Sequence, residues 1–92
     1  MNYLARIYVT PKPGVVDPQG LSILGGLRNL GYDSVVGVRA GRYLEIQLGE
    51  AASSEDAETR ARDMCRQLLA NPVIEDFHFE VTESGQAANV DR

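Results

Sequence analysis

The side chains that could do chemistry in this 92-residue chain are few and far apart. The chain has one histidine, His78, and one cysteine, Cys65. His78 stands at an outward position of an alternating strand pattern, and no nucleophile has an evident geometric reason to meet it. Cys65 falls within a helical apolar stripe, where a free cysteine usually behaves as a small buried hydrophobe. We therefore expect no catalytic residue in this chain.

Composition excludes several other classes of site. One thiol and one imidazole cannot supply a four-ligand zinc site, so we expect no metal role. The spacing of the glycines reproduces neither a phosphate-binding loop nor a dinucleotide fingerprint. The net charge of −4 argues against nucleic acid as the main partner, because nucleic-acid binders need clustered Lys and Arg. No apolar run approaches the ~18 residues of a membrane span, so we expect no membrane partner.

Two polar segments remain as candidates for binding. Arg39 and Arg42 flank Gly41, and their guanidinium groups could bind a phosphate or a partner's carboxylate. An exposed polar turn is the alternative interpretation. The loop 11–14 and the stretch 17–20 combine prolines, glycines and the only lysine, which makes a stiff surface suited to partner contact. Loop and helix-cap chemistry explains the same residues equally well.

Hydrophobic periodicity predicts the elements that position these residues. An alternating strand covers Asn2 to Thr10, and a helix begins at the N-cap Asp17 with Pro18 at its first position and is closed by Gly31. Each glycine inside this helix lowers its stability by about 0.5–1 kcal/mol relative to alanine. We expect close approach of another backbone to be the reason that glycine is used there. Two short strands follow, joined by a tight hairpin at Gly41 with positive φ. These two strands are predicted at 34–40 and 42–48, and a last strand at 77–82. A second helix is capped by Ser53 or Ser54 and ended by Asn71-Pro72. Its apolar stripe consists of Ala57, Ala61, Met64, Cys65, Leu68 and Leu69.

The order β-α-β-β-α-β is that of a ferredoxin-like α+β fold, a four-stranded antiparallel sheet with two helices on one face. Residues 1–82 form a single domain, and the tail 83–92 has almost no apolar content and is predicted to be disordered. The uncovered sheet face predicts self-association. That face carries Leu4, Arg6, Tyr8, Tyr43, Glu45, Gln47 and His78. The lack of a secretory signal and of a cysteine pair predicts a cytoplasmic location.

Four stretches closely resemble the PurS family, the small subunit of phosphoribosylformylglycinamidine (FGAM) synthase. They are 11–20 (PKPGVVDPQG), 30–32 (LGY), 38–42 (VRAGR) and 65–75 (CRQLLANPVIE). The resemblance runs from about Tyr3 to Val81. Arg42 stands where the family commonly has lysine, and Ser22 where it often has alanine or threonine. The tail beyond Glu83 lies outside the resemblance.

The resemblance implies a non-catalytic role in purine biosynthesis. The large synthetase subunit (PurL) would bind ATP, Mg²⁺ and the ribonucleotide, and the glutaminase subunit (PurQ) would release ammonia from glutamine. This chain would hold no cofactor of its own. It would bring the two enzymes together, assist ammonia transfer and form a homodimer or homotetramer. The candidate contact residues are polar, lie at element ends and fall in the family's motifs: Lys12, Asp17, Gln19, Arg39, Arg42, Asn71 and Glu75.

Two other functions use the same fold, so fold alone does not decide between them. A small-molecule-binding regulatory module would gain stability from an amino acid or nucleotide, because such a ligand favours the folded state. An RNA-binding module would carry an aromatic motif on its third strand. The stretch 42–48 (RYLEIQL) has no such motif, which disfavours the RNA-binding interpretation.

Overall fold

The computed structural model describes residues 1–84 of the chain. It contains a three-stranded antiparallel sheet and two α-helices, so the α+β class predicted from the sequence is confirmed. The elements in chain order are β1 (Asn2–Pro11), α1 (Pro18–Asn29), β2 (Arg42–Glu50), α2 (Ser54–Met64), a π-helical turn (Cys65–Leu69) and β3 (Glu75–Glu83). No helix within residues 1–84 is long and apolar enough to cross a membrane.

Among residues 1–84, the central strand β1 supplies half of the buried hydrophobic residues. The sheet order is β2-β1-β3, and β1 pairs antiparallel with both neighbours. Its alternation is that predicted from the sequence, since one face of the strand is buried. The buried side chains of β1 are Tyr3, Ala5, Ile7 and Val9. Half-buried side chains of the outer strands pack against them: Leu44, Ile46, Leu48, Phe77, Phe79 and Val81.

The second helix packs on the sheet through small residues. Ser53 caps α2 by accepting a hydrogen bond from the amide of Asp56 at 3.1 Å, as predicted. The helix lies mainly over β3 and β1. Ala57, Ala61 and Cys65 are completely buried there, and burial raises the pKa of the Cys65 thiol.

The predicted inward orientation of Leu68 is wrong, because its side chain is 83% exposed. The cause is the π-helical turn, in which the amide of Ala70 donates to the carbonyl of Cys65 at 3.0 Å. Five-residue hydrogen bonding inserts one extra residue per turn and rotates the following side chains. Leu69, which was also predicted on the apolar stripe, does pack against the core.

The predicted strand 34–40 is not formed, and the sheet has three strands rather than four within residues 1–84. The predicted hairpin at Gly41 is therefore wrong, and Gly41 does not have positive φ. Glycine is required there for another reason. A Cβ at Gly41 would collide with the carbonyl oxygen of Val9 in β1, so only a residue without a side chain lets the chain enter β2 so close to β1.

Helix α1 begins and ends where the sequence predicts but does not lie beside α2 on the sheet. Gly31 follows the helix with φ of +100°, the left-handed conformation that favours glycine. The contacts of α1 with the sheet are sparse, and Gly20 is its one buried residue. We refer to residues 18–40, that is α1 and the segment returning to β2, as the arm.

The C-terminal boundary differs slightly from the predicted one. Strand β3 includes Glu83, which pairs with Tyr3, and the amide of Ser84 donates to the carbonyl of Asn2 at 2.9 Å. The predicted disordered tail therefore loses its first residue to the sheet. The rest of that prediction, from residue 85 onward, lies outside the described residues.

Candidate subunit interface

Among residues 1–84, Arg42 and Glu75 form the polar contact with the most hydrogen bonds. Both side chains lie at the beginning of a strand, Arg42 in β2 and Glu75 in β3. The guanidinium donates to both carboxylate oxygens of Glu75 at 3.1 Å, and also to the carbonyl of Leu69 at 2.6 Å. This forked geometry suits arginine, since lysine presents a single point charge. The contact ties both outer strands to the end of the π-helical turn.

Asn71 completes this cluster from the loop between the π-helical turn and β3. The backbone amide of Asn71 donates to Oε1 of Glu75 at 2.8 Å, and the side-chain oxygen of Asn71 accepts from the backbone amide of Val73 at 3.0 Å. The Arg42 guanidinium and then the Asn71 amide hold the pKa of Glu75 below its ordinary value. Glu75 is therefore anionic at neutral pH and bound within the chain. We call Arg42, Asn71 and Glu75 the polar cluster.

Asp17 joins the two ends of the arm. One carboxylate oxygen accepts from the amide of Gly20 at 3.0 Å, which is the predicted N-cap, and the other accepts from the amide of Ala40 at 3.0 Å. The Ala40 amide, followed by the Gly20 amide, lowers the pKa of Asp17. Gly20 itself lies so close to the carbonyl of Val38 that a Cβ would collide with it. Close backbone approach, predicted for the glycines of α1, is confirmed at this one.

The other three predicted residues are more available to a partner. Lys12 forms an exposed ion pair with Asp76 at 2.8 Å, a pairing that the sequence analysis missed because it depends on the β1–β3 register. Gln19 and Arg39 are exposed. Among residues 1–84, neither side chain makes a hydrogen bond or salt bridge. The two arginines near Gly41 thus differ, since Arg42 is engaged within the chain and Arg39 points its charge outward.

The fold brings all seven predicted residues to one end of the sheet. A cleft of about 220 Å³ is lined in part by Asp17, Gln19, Arg42 and Glu75, and Asn71 binds Glu75 beside it. A neighbouring hollow of about 360 Å³ is lined by Lys12, Asp17 and Arg39 together with the apolar residues of the 11–16 loop. Asp17 lies at the boundary between the two. The arrangement offers shape, charge and hydrogen-bonding groups for a protein partner.

An aromatic row crosses the uncovered sheet face on the side opposite α2. The ring of Tyr8 lies 5.1 Å from that of Tyr43 and 5.4 Å from that of His78 between centroids. Cross-strand pairing aligns them, because Tyr8 is opposite Tyr43 in β2 and His78 in β3. A hydrogen bond to Glu45 raises the pKa of Tyr43. The sequence predicted the members of this face, while their row follows from the strand register.

Comparison with known proteins gives the family. Residues 4–83 match the family model of PurS, phosphoribosylformylglycinamidine (FGAM) synthase. This chain belongs to the PurS family. The matched range contains every residue of the polar cluster and both ends of the arm, so the resemblance seen in the sequence motifs is confirmed.

Individual PurS proteins agree with this assignment. The FGAM synthase subunit PurS of a Synechocystis species is 49% identical, and the alignment covers 88% of this chain and 80% of that protein. The Thermus thermophilus PurS structure superposes with a TM-score of 0.80 at 39% identity, covering 91% of this chain and 99% of that one. A chain of the Thermotoga maritima PurLQS structure gives a TM-score of 0.79 at 28% identity, with 89% and 99% covered. The chain is thus a subunit of FGAM synthase, an enzyme of purine biosynthesis.

Proposed function

We propose that this PurS-family chain is the non-catalytic subunit that holds the glutaminase subunit PurQ and the synthetase subunit PurL together. The observation that carries the proposal is its similarity to a chain of the Thermotoga maritima PurLQS structure over 89% of its length. The clustered contact candidates at one end of the sheet support it. ATP, Mg²⁺ and glutamine are used by the other subunits, and this chain contributes no cofactor site.

The catalytic benefit would come from position rather than from bond-making side chains. Ammonia released at one active site must reach a second one before it is lost to water. Holding the two sites in a fixed relation replaces a bimolecular encounter with transfer inside one assembly. Exclusion of water along the path prevents the intermediate from escaping. A small, rigid subunit that binds both enzymes is sufficient for this role.

We propose that the seven contact candidates divide into two groups. Gln19 and Arg39 would bind partner subunits directly, because both are exposed and neither side chain is paired within residues 1–84. Lys12 would join them, because the ion pair that it forms with Asp76 is open to water. The side chains of Asp17, Arg42, Asn71 and Glu75 are already paired within the chain. These four would shape the surface on which the first three are presented.

We also propose that the working form is a homodimer or homotetramer in the cytoplasm, with a four-stranded ferredoxin-like unit. The observed order β2-β1-β3 contains three of the four neighbouring strands that this arrangement needs. The free edge of β2 is where its fourth strand would lie. Exposed edges and an uncovered sheet face both favour association of copies.

Reconstitution tests the coupling role. Synthetase activity is measured with glutamine, and separately with an ammonium salt, using PurL and PurQ with and without this chain. We expect omission of this chain to abolish glutamine-dependent turnover and to leave ammonium-dependent turnover largely intact. Equal glutamine-dependent activity in its absence would overturn the proposal and favour the small-molecule regulatory module.

Substitution tests the contact residues separately. Gln19→Ala and Arg39→Ala should weaken binding to the partner subunits, measured by calorimetry or co-elution, without lowering the melting temperature. Arg62→Ala is the matched control, since Arg62 is an exposed arginine on α2 that packs over Phe79 away from the cleft. Binding that is unchanged by the first two variants would remove these residues from the interface.

A further inference from the structure

A cavity of about 530 Å³ lies between the π-helical turn and the beginning of β3. We call it the turn cavity. Its volume falls in the range of about 300–1,000 Å³ that is usual for small-molecule sites. The helical side is lined by Cys65, Arg66 and Ala70, and the strand side by Phe77. None of the described residues that line it belongs to the arm, so the turn cavity is separate from that part of the chain.

Small side chains leave the turn cavity unfilled by the chain itself. Cys65 is completely buried and Ala70 is 6% exposed, so both lie at its floor, and neither side chain reaches far from the backbone. The helix ends at Ala70, where the backbone is extended with φ of −128° and ψ of 145°. Voids larger than a water molecule are few in proteins, and π-helical turns are frequent at functional sites. The two occur together here.

Two arginines on successive turns of the helix are placed differently against the aromatic rings of β3. The guanidinium of Arg62 lies 5.3 Å from the ring centroid of Phe79. Arg66 follows four residues later, and Phe77 lies next to Phe79 on the same face of β3, so a continued α-helix would repeat the contact. The π-helical turn interrupts that repeat, and no second arginine–ring contact forms within residues 1–84. Arg66 and Phe77 instead line the turn cavity.

Arg66 also leaves the turn cavity with one unpaired positive charge. Of the other charged residues that line it, Lys12 is paired with Asp76 at 2.8 Å. Glu75 is paired with Arg42 at 3.1 Å. The guanidinium of Arg66 is exposed and makes neither a hydrogen bond nor an ion pair with any other described residue. The remaining charges therefore cancel in pairs, and the site favours an anion.

We propose that the turn cavity binds a small molecule that combines a flat ring with one oxyanion, either a carboxylate or a phosphate. The ring lies on Phe77 and extends the stack that Phe77 forms with Phe79, whose ring centroids are 6.3 Å apart at an interplanar angle of 19°. Offset stacking of this kind is a favourable arrangement of aromatic rings. The oxyanion accepts forked hydrogen bonds from the guanidinium of Arg66. Cys65 and Ala70 supply the apolar floor.

This inference goes beyond the proposed coupling role, which requires no small molecule on this chain. The first test compares three probes: naphthoate carries a ring and a carboxylate, naphthyl phosphate carries a ring and a phosphate, and naphthalenemethanol carries the ring without a charge. Each is titrated into the isotope-labelled full chain, and the amide signals are followed by NMR. We expect saturable shifts centred on Cys65, Ala70 and Phe77 with an anionic probe. The neutral alcohol should bind about tenfold more weakly, because it forms no charge-assisted hydrogen bond.

The affinities of the two anions distinguish the class of ligand. Tighter binding of naphthoate assigns the site to carboxylates, and tighter binding of naphthyl phosphate assigns it to phosphate esters. Both results support the shared chemistry of ring and oxyanion.

The second test asks whether Arg66 binds the oxyanion. Arg66→Gln removes the charge from an exposed position and should leave the fold intact, which circular dichroism checks. We expect the affinity for the anionic probes to fall about tenfold and the affinity for the alcohol to stay unchanged. Arg62→Gln is the matched control, since Arg62 lies one helical turn earlier and does not line the turn cavity. It should leave all three affinities unchanged.

The third test fills the cavity. Ala70→Leu places a larger side chain at the floor and should abolish the binding of all three probes. Ala52→Leu is the control, because Ala52 is exposed and lies before α2, away from the cavity. The melting temperature of each variant shows whether it folds. If Ala70→Leu does not fold, the Arg66→Gln comparison still decides the proposal.

Three results would overturn the proposal. They are the absence of saturable shifts at the turn cavity with either anion at millimolar concentration, equal affinities for the anions and the alcohol, and anion binding that Arg66→Gln leaves unchanged. If neither anion binds while Arg66→Gln weakens co-elution with PurL or PurQ, the cavity belongs to a subunit contact instead. The probe titrations use this chain alone, so their failure leaves the coupling function untouched. Loss of the coupling function in reconstitution likewise leaves the small-molecule site standing.

Discussion

The sheet with α2 and the arm with α1 differ in what stabilises them. In the first region completely buried side chains meet across elements, with Ile7 of β1 and Ala61 of α2 both at 0% exposure. In the arm only Gly20 is buried. What holds the arm in place is polar, namely the two hydrogen bonds accepted by Asp17. Folding free energy thus comes mainly from the sheet region, while the arm is positioned by its base.

This difference shows how a short chain can combine a stable core with a large exposed apolar surface. A domain of this size buries only about 60–65% of the surface exposed by its unfolded chain. Packing all of its leucines internally would leave little apolar area for a partner. Keeping α1 away from the sheet retains that area. Asp17 joins the two ends of the arm through its hydrogen bonds with Gly20 and Ala40.

The largest expected effect on stability comes from truncating a side chain of the core. Ile7→Ala should lower the free energy of unfolding by about 2–5 kcal/mol, because it leaves a cavity beneath α2. The matched change in the arm, Leu30→Ala, removes a side chain that is 75% exposed and should cost less than about 0.5 kcal/mol. Urea denaturation below the concentration at which copies associate measures both. Equal losses would show that the arm contributes as much to folding as the core.

Substitution at Gly41, where the arm joins the sheet, should lower stability nearly as much. Gly41→Ala places a Cβ against the Val9 carbonyl, and the backbone of the central strand cannot shift easily. We expect destabilisation of about 1–3 kcal/mol from this overpacking. Gly37→Ala is the control, since no atom lies within 4 Å of a Cβ there, and it should be within about 0.5 kcal/mol of neutral. Thermal melting of the two variants distinguishes a steric requirement from a general preference for glycine.

Acid should weaken the contacts of Asp17 and Glu75 specifically. Both carboxyls have a pKa in the folded state below the ordinary values of 3.8 and 4.5. At low pH the unfolded chain therefore binds more protons than the folded chain. The stability that these two carboxylates contribute is fully present above pH 4.5 and is lost as the pH falls through their lowered pKa values. The variant Asp17→Asn/Glu75→Gln should lose less stability than the wild type between pH 6 and pH 3, since it has no such groups to titrate. If the urea midpoints of the two proteins fell equally between pH 6 and pH 3, Asp17 and Glu75 would not be the source of the acid sensitivity.

The smallest effect is expected at the exposed ion pair of Lys12 and Asp76, whose side chains are 38% and 54% exposed. Lys12→Met should change the free energy of unfolding by about 0.5 kcal/mol or less, because water and salt screen such pairs. Addition of salt to the wild type should reproduce this small change. A loss above about 1 kcal/mol would place Lys12 with the structural residues instead of the contact candidates.

Strong local signals were sufficient for much of the fold. The alternation of Tyr3, Ala5, Ile7 and Val9, the caps Asp17 and Ser53, and the stop at Gly31 each depend on a few neighbouring residues, and the structure confirms them. The orientation of Leu68 was predicted wrongly, because a π-helical turn changes the number of residues per helical turn. No residue type in the sequence indicates such a turn. The strand 34–40 failed for a different reason, since pairing requires the segment to lie alongside another strand, and its own residues do not specify that placement.

The sequence by itself determined which segments alternate, where the helices begin and which polar residues fall at element ends, because these depend on spacing and on the conformational limits of proline and glycine. It also determined the family, through motifs that span the folded part. Only the tertiary structure decided that Arg42 binds Glu75, that Lys12 binds Asp76 and that α1 extends away from the sheet. Those facts depend on strand register and on contacts between residues distant in the chain, which no local pattern encodes.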